Sequence, residues 1–262
     1  MLNRRWMVLM GLLMLTGATL VHAQVETRVL EYQLNGQTYQ SVAAWDTGIA
    51  GKRPVVLVIH EWWGLNDYAK RRINMLAEQG YLGLAVDMYG QGRTTTDAKQ
   101  AGAWATAVRA DPQAMKLLDA ATEAVAKLPE ADVTQRACIG YCFGGSVTLA
   151  YARSGADLKL AASFHGNLAT DKPAQPGAIK GHVMVLHGAD DAFEPSTAIT
   201  DFIAEMRHAK ADWQLVHYGN AVHSFTNPGA GAANIPGVAY QKQADERSWR
   251  LLLDGLREVF GR

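Results

Sequence analysis

Apolar positions along the chain follow two rhythms. Arg28 to Leu34 and Gln37 to Ala44 alternate at the period of a half-buried strand, and Asn35-Gly36 between them supplies a two-residue hairpin turn. Pro54 to His60 is instead a continuous β-branched run, the pattern of a central strand covered by helices on both faces. Tyr81 to Val86, Arg136 to Tyr141, Leu158 to Phe164, His182 to Leu186 and Trp213 to Tyr218 read as further strands. Helical signals separate them. Asp67 is the expected cap of a helix running to about Gln79 before Gly80, and Asp111-Pro112 opens another through Leu128. Ser146 to Ala152 packs a third that ends near Gly155. Pro195-Ser196 begins one with Ile199, Ile203 and Met206 on one side, and Gln241 to Phe260 closes the chain. Strand and helix in alternation imply parallel crossovers, hence an α/β fold with a mostly parallel central sheet of about eight strands flanked by helices on both faces. Ligands of such sheets bind outside the carboxyl ends of the strands.

The first residues carry a different pattern. Arg4 and Arg5 precede an apolar run from Trp6 to Val21, and Val21-His22-Ala23 is a small-residue site of the kind signal peptidase cuts. Residues 1–23 are therefore expected to be an export signal and 24–262 a single mature domain working outside the cytoplasm, most simply in a bacterial periplasm, with no stable membrane association. A permanent anchor is the alternative, but a span takes about 20 apolar residues and this run is shorter. With 48 % of its 262 residues hydrophobic, the chain can bury a sizeable core. Lys plus Arg and Asp plus Glu balance at 25 each, so no broad field draws it to nucleic acid or anionic lipid. Its 2 cysteines, Cys138 and Cys142, exclude a disulfide framework. A bridge between them would have to converge across a tight turn, and Cys138 reads as a small core residue.

That turn is the chemically informative part. Gly140-Tyr141-Cys142-Phe143-Gly144-Gly145 fits the small-x-nucleophile-x-small elbow of α/β hydrolases, with cysteine where serine is usual. A strand before it and a helix after it are the required context, and glycines flank it because the turn brings backbones close. A glycine-rich turn around an inert cysteine is the competing reading. After the strand at His182 comes the acid-rich turn Gly188-Ala189-Asp190-Asp191, and after the strand at Trp213 comes His223-Ser224-Phe225. The order nucleophile, acid, histidine is the one this fold uses. A free thiol is only a few per cent ionised at neutral pH, so Cys142 needs a base, and His223 can serve. His60, His165, His187 and His223 all lie near strand ends, but their spacing fits no usual zinc motif; no metal and no cofactor is expected. A ligand-binding protein without catalysis and a thiol redox protein using Cys142 are the rivals; against the latter, Cys138 and Cys142 lack Cys-x-x-Cys spacing.

The chain resembles the dienelactone hydrolases, carboxymethylenebutenolidase-like members of the α/β-hydrolase fold, on His60-Glu61-Trp62-Trp63-Gly64-Leu65-Asn66, Asp87-Met88-Tyr89-Gly90, the elbow, Gly188 to Pro195 and His223-Ser224-Phe225. The resemblance implies that Asp191, four residues before Pro195, is the acid, with Asp190 the alternative. It implies an oxyanion hole from the N–H groups of Phe143 and Trp62, and a role for Glu61 as a mobile partner of the resting cysteine; the plainer reading of Glu61 is an exposed loop carboxylate. Members that cleave dienelactone hold its carboxylate with two arginines, at positions occupied here by Gln91 and Asn227, which carry no charge. Arg93 could compensate or could be a solvated loop residue. Trp62, Trp63, Tyr89 and Phe225 near the mouth would suit a neutral or aromatic ester or lactone, or equally be lid and core packing. The expectation is an exported hydrolase that cleaves a small ester or lactone through Cys142, His223 and Asp191 and an acyl-cysteine; no oligomeric state is implied.

Overall fold

The computed structural model describes residues 23–261, so the export signal lies almost wholly outside the described residues. Eight strands, β1 (Val25–Leu34), β2 (Gln37–Asp46), β3 (Arg53–Ile59), β4 (Leu82–Val86), β5 (Ala131–Tyr141), β6 (Leu160–Phe164), β7 (His182–Gly188) and β8 (Trp213–Tyr218), form one sheet in the order β1-β2-β4-β3-β5-β6-β7-β8. The leading hairpin is antiparallel, β2 joins β4 antiparallel, and every later pairing is parallel. Asn35 and Gly36 both take the positive φ that a two-residue turn of this kind requires. The helices are α1 (Asp67–Ala77), α2 (Ala98–Ala110), α3 (Ala114–Val125), α4 (Phe143–Arg153), α5 (Ser196–Ala209) and α6 (Lys242–Phe260).

The sheet is covered on both faces, which explains the unbroken apolar run of β3. Val56 and Val58 pack with Ile73 and Leu76 of α1 and Leu252 and Leu256 of α6. Val55, Leu57 and Ile59 point the other way, into the layer of Leu118 of α3 and Val147 of α4. Phe202 and Met206 of α5 extend that second layer over Val183 and Val185 of β7. Among the described residues no helix is long and apolar enough to cross a membrane.

Two expectations about helices need correction. Asn66, not Asp67, caps α1: its side chain accepts from the Ala69 N–H, and Asp67 is already inside the helix, where its charge suits the positive end. The single helix expected from Asp111 to Leu128 is instead α3, preceded by α2, which ends against Asp111. Helix α2 buries only Ala101 and Ala105, so its sequence carries no apolar stripe that would announce it.

Candidate active site

The strand-helix junction from β5 to α4 builds the site's centre. Cys142 sits at φ 53° and ψ −116°, a sparsely populated region, with α4 starting at the next residue; the residue is half-buried and lines a cavity. The flanking glycines are sterically required. A Cβ on Gly144 would lie 2.3 Å from the Ile59 carbonyl oxygen, and one on Gly140 would lie 2.0 Å from that of Gly144. Gly144→Ala is therefore expected to destabilise the fold by about 1–3 kcal/mol through overpacking, read as a lower midpoint in urea unfolding. Cys138 behaves as expected for a core residue. It is buried, 3.4 Å from the Thr148 hydroxyl, and burial pushes its thiol up to about 12; both cysteines are free.

Loops after β7 and β8 bring the other two groups to Cys142. His223 Nδ1 lies 2.8 Å from Asp191 Oδ2, and His223, Asp191 and Cys142 line the same cavity, which leaves Nε2 as the ring nitrogen free for a partner other than Asp191. Asp190, the alternative acid, is exposed, whereas Asp191 is buried and also accepts the Phe193 N–H at 3.0 Å. Burial alone would lower the His223 pKa, but the neighbouring Cys142 sulfur and the hydrogen bond and charge of Asp191 together push it up to about 10. The imidazole is thus held charged at neutral pH.

A cavity of about 980 Å³ opens on these groups. Trp62 and Trp63, whose rings meet at 4.8 Å, form one wall with Phe143; the small residues Gly229, Ala230, Ala232 and Ala233 of the loop after His223 form another. The Trp62 loop is pinned from behind. Tyr89 donates through its hydroxyl to the Trp62 carbonyl at 3.0 Å, and Gly64 lies so close to the Arg93 carbonyl that a Cβ would stand 2.1 Å away.

Several expected pocket residues are elsewhere. Tyr89 is buried behind the wall rather than lining it, because its hydroxyl is spent on Trp62. Phe225 is fully buried against His165 and Tyr218. Gln91 is exposed and outside the cavity. Arg93 turns away as well: it lies over the Trp104 ring and donates to the Tyr89 and Gly90 carbonyls. Asn227 does line the cavity, but its amide donates to Glu61 Oε2 at 2.6 Å.

Glu61 is the largest difference from expectation. It is 2 % exposed, and its other oxygen accepts from the Ser224 hydroxyl at 2.8 Å, so both oxygens are engaged by the His223 loop rather than by the resting thiol. Burial raises its pKa, opposed by these two hydrogen bonds. Two further charged lining groups went unforeseen. Glu194 is buried, accepts the Leu168 N–H at 3.0 Å and has a raised pKa from burial. Arg109 reaches the cavity from α2 and lies over the Phe143 ring at 5.6 Å, with no carboxylate partner among the described residues. Since α2 was not legible, neither was Arg109.

Comparison with known proteins agrees with this architecture. The sequence profile described as the dienelactone hydrolase family matches residues 40–260. A solved structure described as a dienelactone hydrolase-like promiscuous phosphotriesterase, P91, from metagenomic libraries is 36 % identical with a TM-score of 0.83, covering 90 % of this chain and 98 % of that one. A second, named m3DLH, is 38 % identical with a TM-score of 0.84 and the same coverage. A protein of Methylorubrum extorquens named "Putative carboxymethylenebutenolidase" is 28 % identical, over 79 % of this chain and 73 % of its own length.

Proposed function

We propose, from the premise that the chain belongs to the dienelactone hydrolase family, that this hydrolase cleaves small esters or lactones through Cys142, His223 and Asp191. The observation that carries the reading is the His223–Asp191 pair, 2.8 Å apart, lining one cavity with Cys142 at the strained elbow, where the Cys142 sulfur is among the groups that raise the imidazole's pKa. The thiolate attacks the carbonyl carbon, and the electron pair moves to oxygen. That oxyanion would be met by the N–H of Phe143, which opens α4 and so has no partner within the helix, and by the N–H of Trp62. Collapse expels the alkoxide, which takes its proton from His223. Water, deprotonated by His223, then attacks the acyl-cysteine and releases the acid and the thiolate. A lactone follows the same course, its leaving oxygen staying tethered.

An uncharged substrate fits best. Neither Gln91 nor Asn227 offers a positive charge, the walls are aromatic and small apolar residues, and Glu61 and Glu194 place carboxylates inside. Arg109 favours a second reading, a substrate with an anionic end reaching the cavity's α2 side. A panel of neutral and carboxylated aryl esters, lactones and a neutral phosphotriester, the last suggested by the name of the P91 relative, separates the two. Acyl transfer is tested by quenching p-nitrophenyl acetate turnover in acid and mapping the acetyl group by mass spectrometry. Label on the Cys142 peptide is expected; turnover with no label there, and undiminished after iodoacetamide, would sink the mechanism. Export with cleavage after Ala23 is part of the proposal, supported by the Arg4-Arg5, apolar-run and Val21-His22-Ala23 pattern. A mature amino terminus at Gln24 is the expected result of sequencing the extracytoplasmic protein.

A further inference from the structure

Beneath the site runs a buried polar chain for which the proposed chemistry has no use. His165 follows β6, is completely buried, and stands at φ 40°, an uncommon conformation for a residue with a Cβ. Its Nδ1 accepts the Cys142 backbone N–H at 3.1 Å, a bond the amide shares with the Phe164 carbonyl at 3.0 Å. A backbone amide can only donate, so Nδ1 carries the lone pair and the ring proton of neutral His165 is on Nε2. That proton is given to the Thr226 hydroxyl at 2.7 Å. Thr226 belongs to the His223 loop, is fully buried, and meets the Tyr68 hydroxyl at 2.6 Å. Arg72 closes the chain. Its Nη2 donates to the Thr226 carbonyl at 2.8 Å and to Asp245 Oδ1 at 2.5 Å, and its Nε donates to the Tyr68 hydroxyl at 3.3 Å.

We infer that His165 is a positioning residue: its neutral ring holds the Cys142 amide on one side and, through the Thr226 hydroxyl, the His223 loop on the other, fixing sulfur and imidazole in one relative placement. The inference rests on the thiolate reading of Cys142. Two strained residues, Cys142 and His165, meet here, and such conformations persist only where surrounding contacts over-determine them. Tyr68 and Arg72 on α1 and Asp245 on α6 supply that surround. The titratable and charged groups around the ring are His223, whose ring is 5.3 Å away, Tyr141 at 6.0 Å, His187 at the end of β7, and Arg72. Burial first, then the charges of His223, His187 and Arg72, push the His165 pKa well down, in keeping with a ring that must stay neutral to accept from an amide. A protonated His165 would set N–H against N–H.

Thr226→Val removes the hydroxyl while keeping the shape, and Thr226→Ser restores it. In the full mature chain, Thr226→Val is expected to lower kcat on p-nitrophenyl acetate about tenfold, with KM changed less than about twofold, as for a misplacement that leaves binding intact. The pH midpoint of iodoacetamide alkylation at Cys142 should move upward, because a displaced imidazolium stabilises the thiolate less. Thr226→Ser should return both values towards wild type, and His165→Phe should reproduce the valine phenotype more strongly. Wild-type kcat and alkylation midpoint in folded Thr226→Val would overturn the inference. So would a valine variant that fails to fold while the serine variant folds, since the hydroxyl would then serve global stability. Failure of the thiolate reading looks different: a Cys142→Ala protein would still turn over ester.

Discussion

Cys142→Ala is expected to reduce turnover of p-nitrophenyl acetate by about 10⁴-fold or more, to the level left by the oxyanion hole and binding alone. The methyl side chain keeps the elbow's backbone, so circular dichroism and the urea midpoint should stay close to wild type. What disappears is the atom that, in the proposed mechanism, forms the bond to the acyl carbon. His223 alone cannot replace it, because general-base activation of water contributes only part of the rate that a covalent intermediate provides. Cys138→Ala supplies the contrast. Its sulfur is buried against Thr148, so removing it creates a small cavity and leaves turnover intact. Retained turnover in Cys142→Ala, or its loss in a folded Cys138→Ala, would overturn the assignment of the nucleophile.

Asp191→Ala is expected to lower kcat by about 10²–10⁴-fold, the range in which a positioned acid-base pair contributes, with little change in KM. The carboxylate does three things that alanine cannot: it accepts the Nδ1 proton at 2.8 Å, it stabilises the imidazolium by charge, and it holds the Phe193 N–H at 3.0 Å at the cavity mouth. Two of these raise the His223 pKa, so the His223 titration, followed by NMR, should move down from about 10 in the variant. Asp191→Asn should be milder, since an amide oxygen can still accept from imidazole and cysteine nucleophiles operate with asparagine in that place. Asp190→Ala should change kcat less than about threefold, because its side chain is exposed and the histidine is bonded to its neighbour. A large loss in Asp190→Ala with a small one in Asp191→Ala would reverse the choice between the two acids.

Legibility followed the range of the interaction concerned. The elbow could be read because its demand is local: Gly140, Gly144 and Gly145 are there for lack of a Cβ, and that lack is written in the residue type. The order of Cys142, Asp191 and His223 was legible for a similar reason, each following its own strand by a few residues. Tyr89 and Phe225 were misplaced because an aromatic after a strand can turn towards the cavity or behind its wall, and only the carbonyl of Trp62 and the ring of His165 decide which. Arg109 stayed hidden because an alanine-rich surface helix such as α2 needs almost no apolar pattern to exist.

The chain's own order of residues determined the parallel sheet, the strained turn that presents a thiol, and the three kinds of side chain available for acyl transfer. Strand periodicity and glycine placement are short-range properties, and they carried over into the structure, whereas α2, with no apolar stripe, did not announce itself. Tertiary packing alone decided which charges meet. It set Asp191 rather than Asp190 on His223, tied Glu61 to Ser224 and Asn227, and ran a buried line from Asp245 through Arg72, Tyr68 and Thr226 to His165 and the Cys142 amide. Those partners lie far apart in the chain, and a hydrogen bond between them depends on fractions of an ångström that no local pattern encodes.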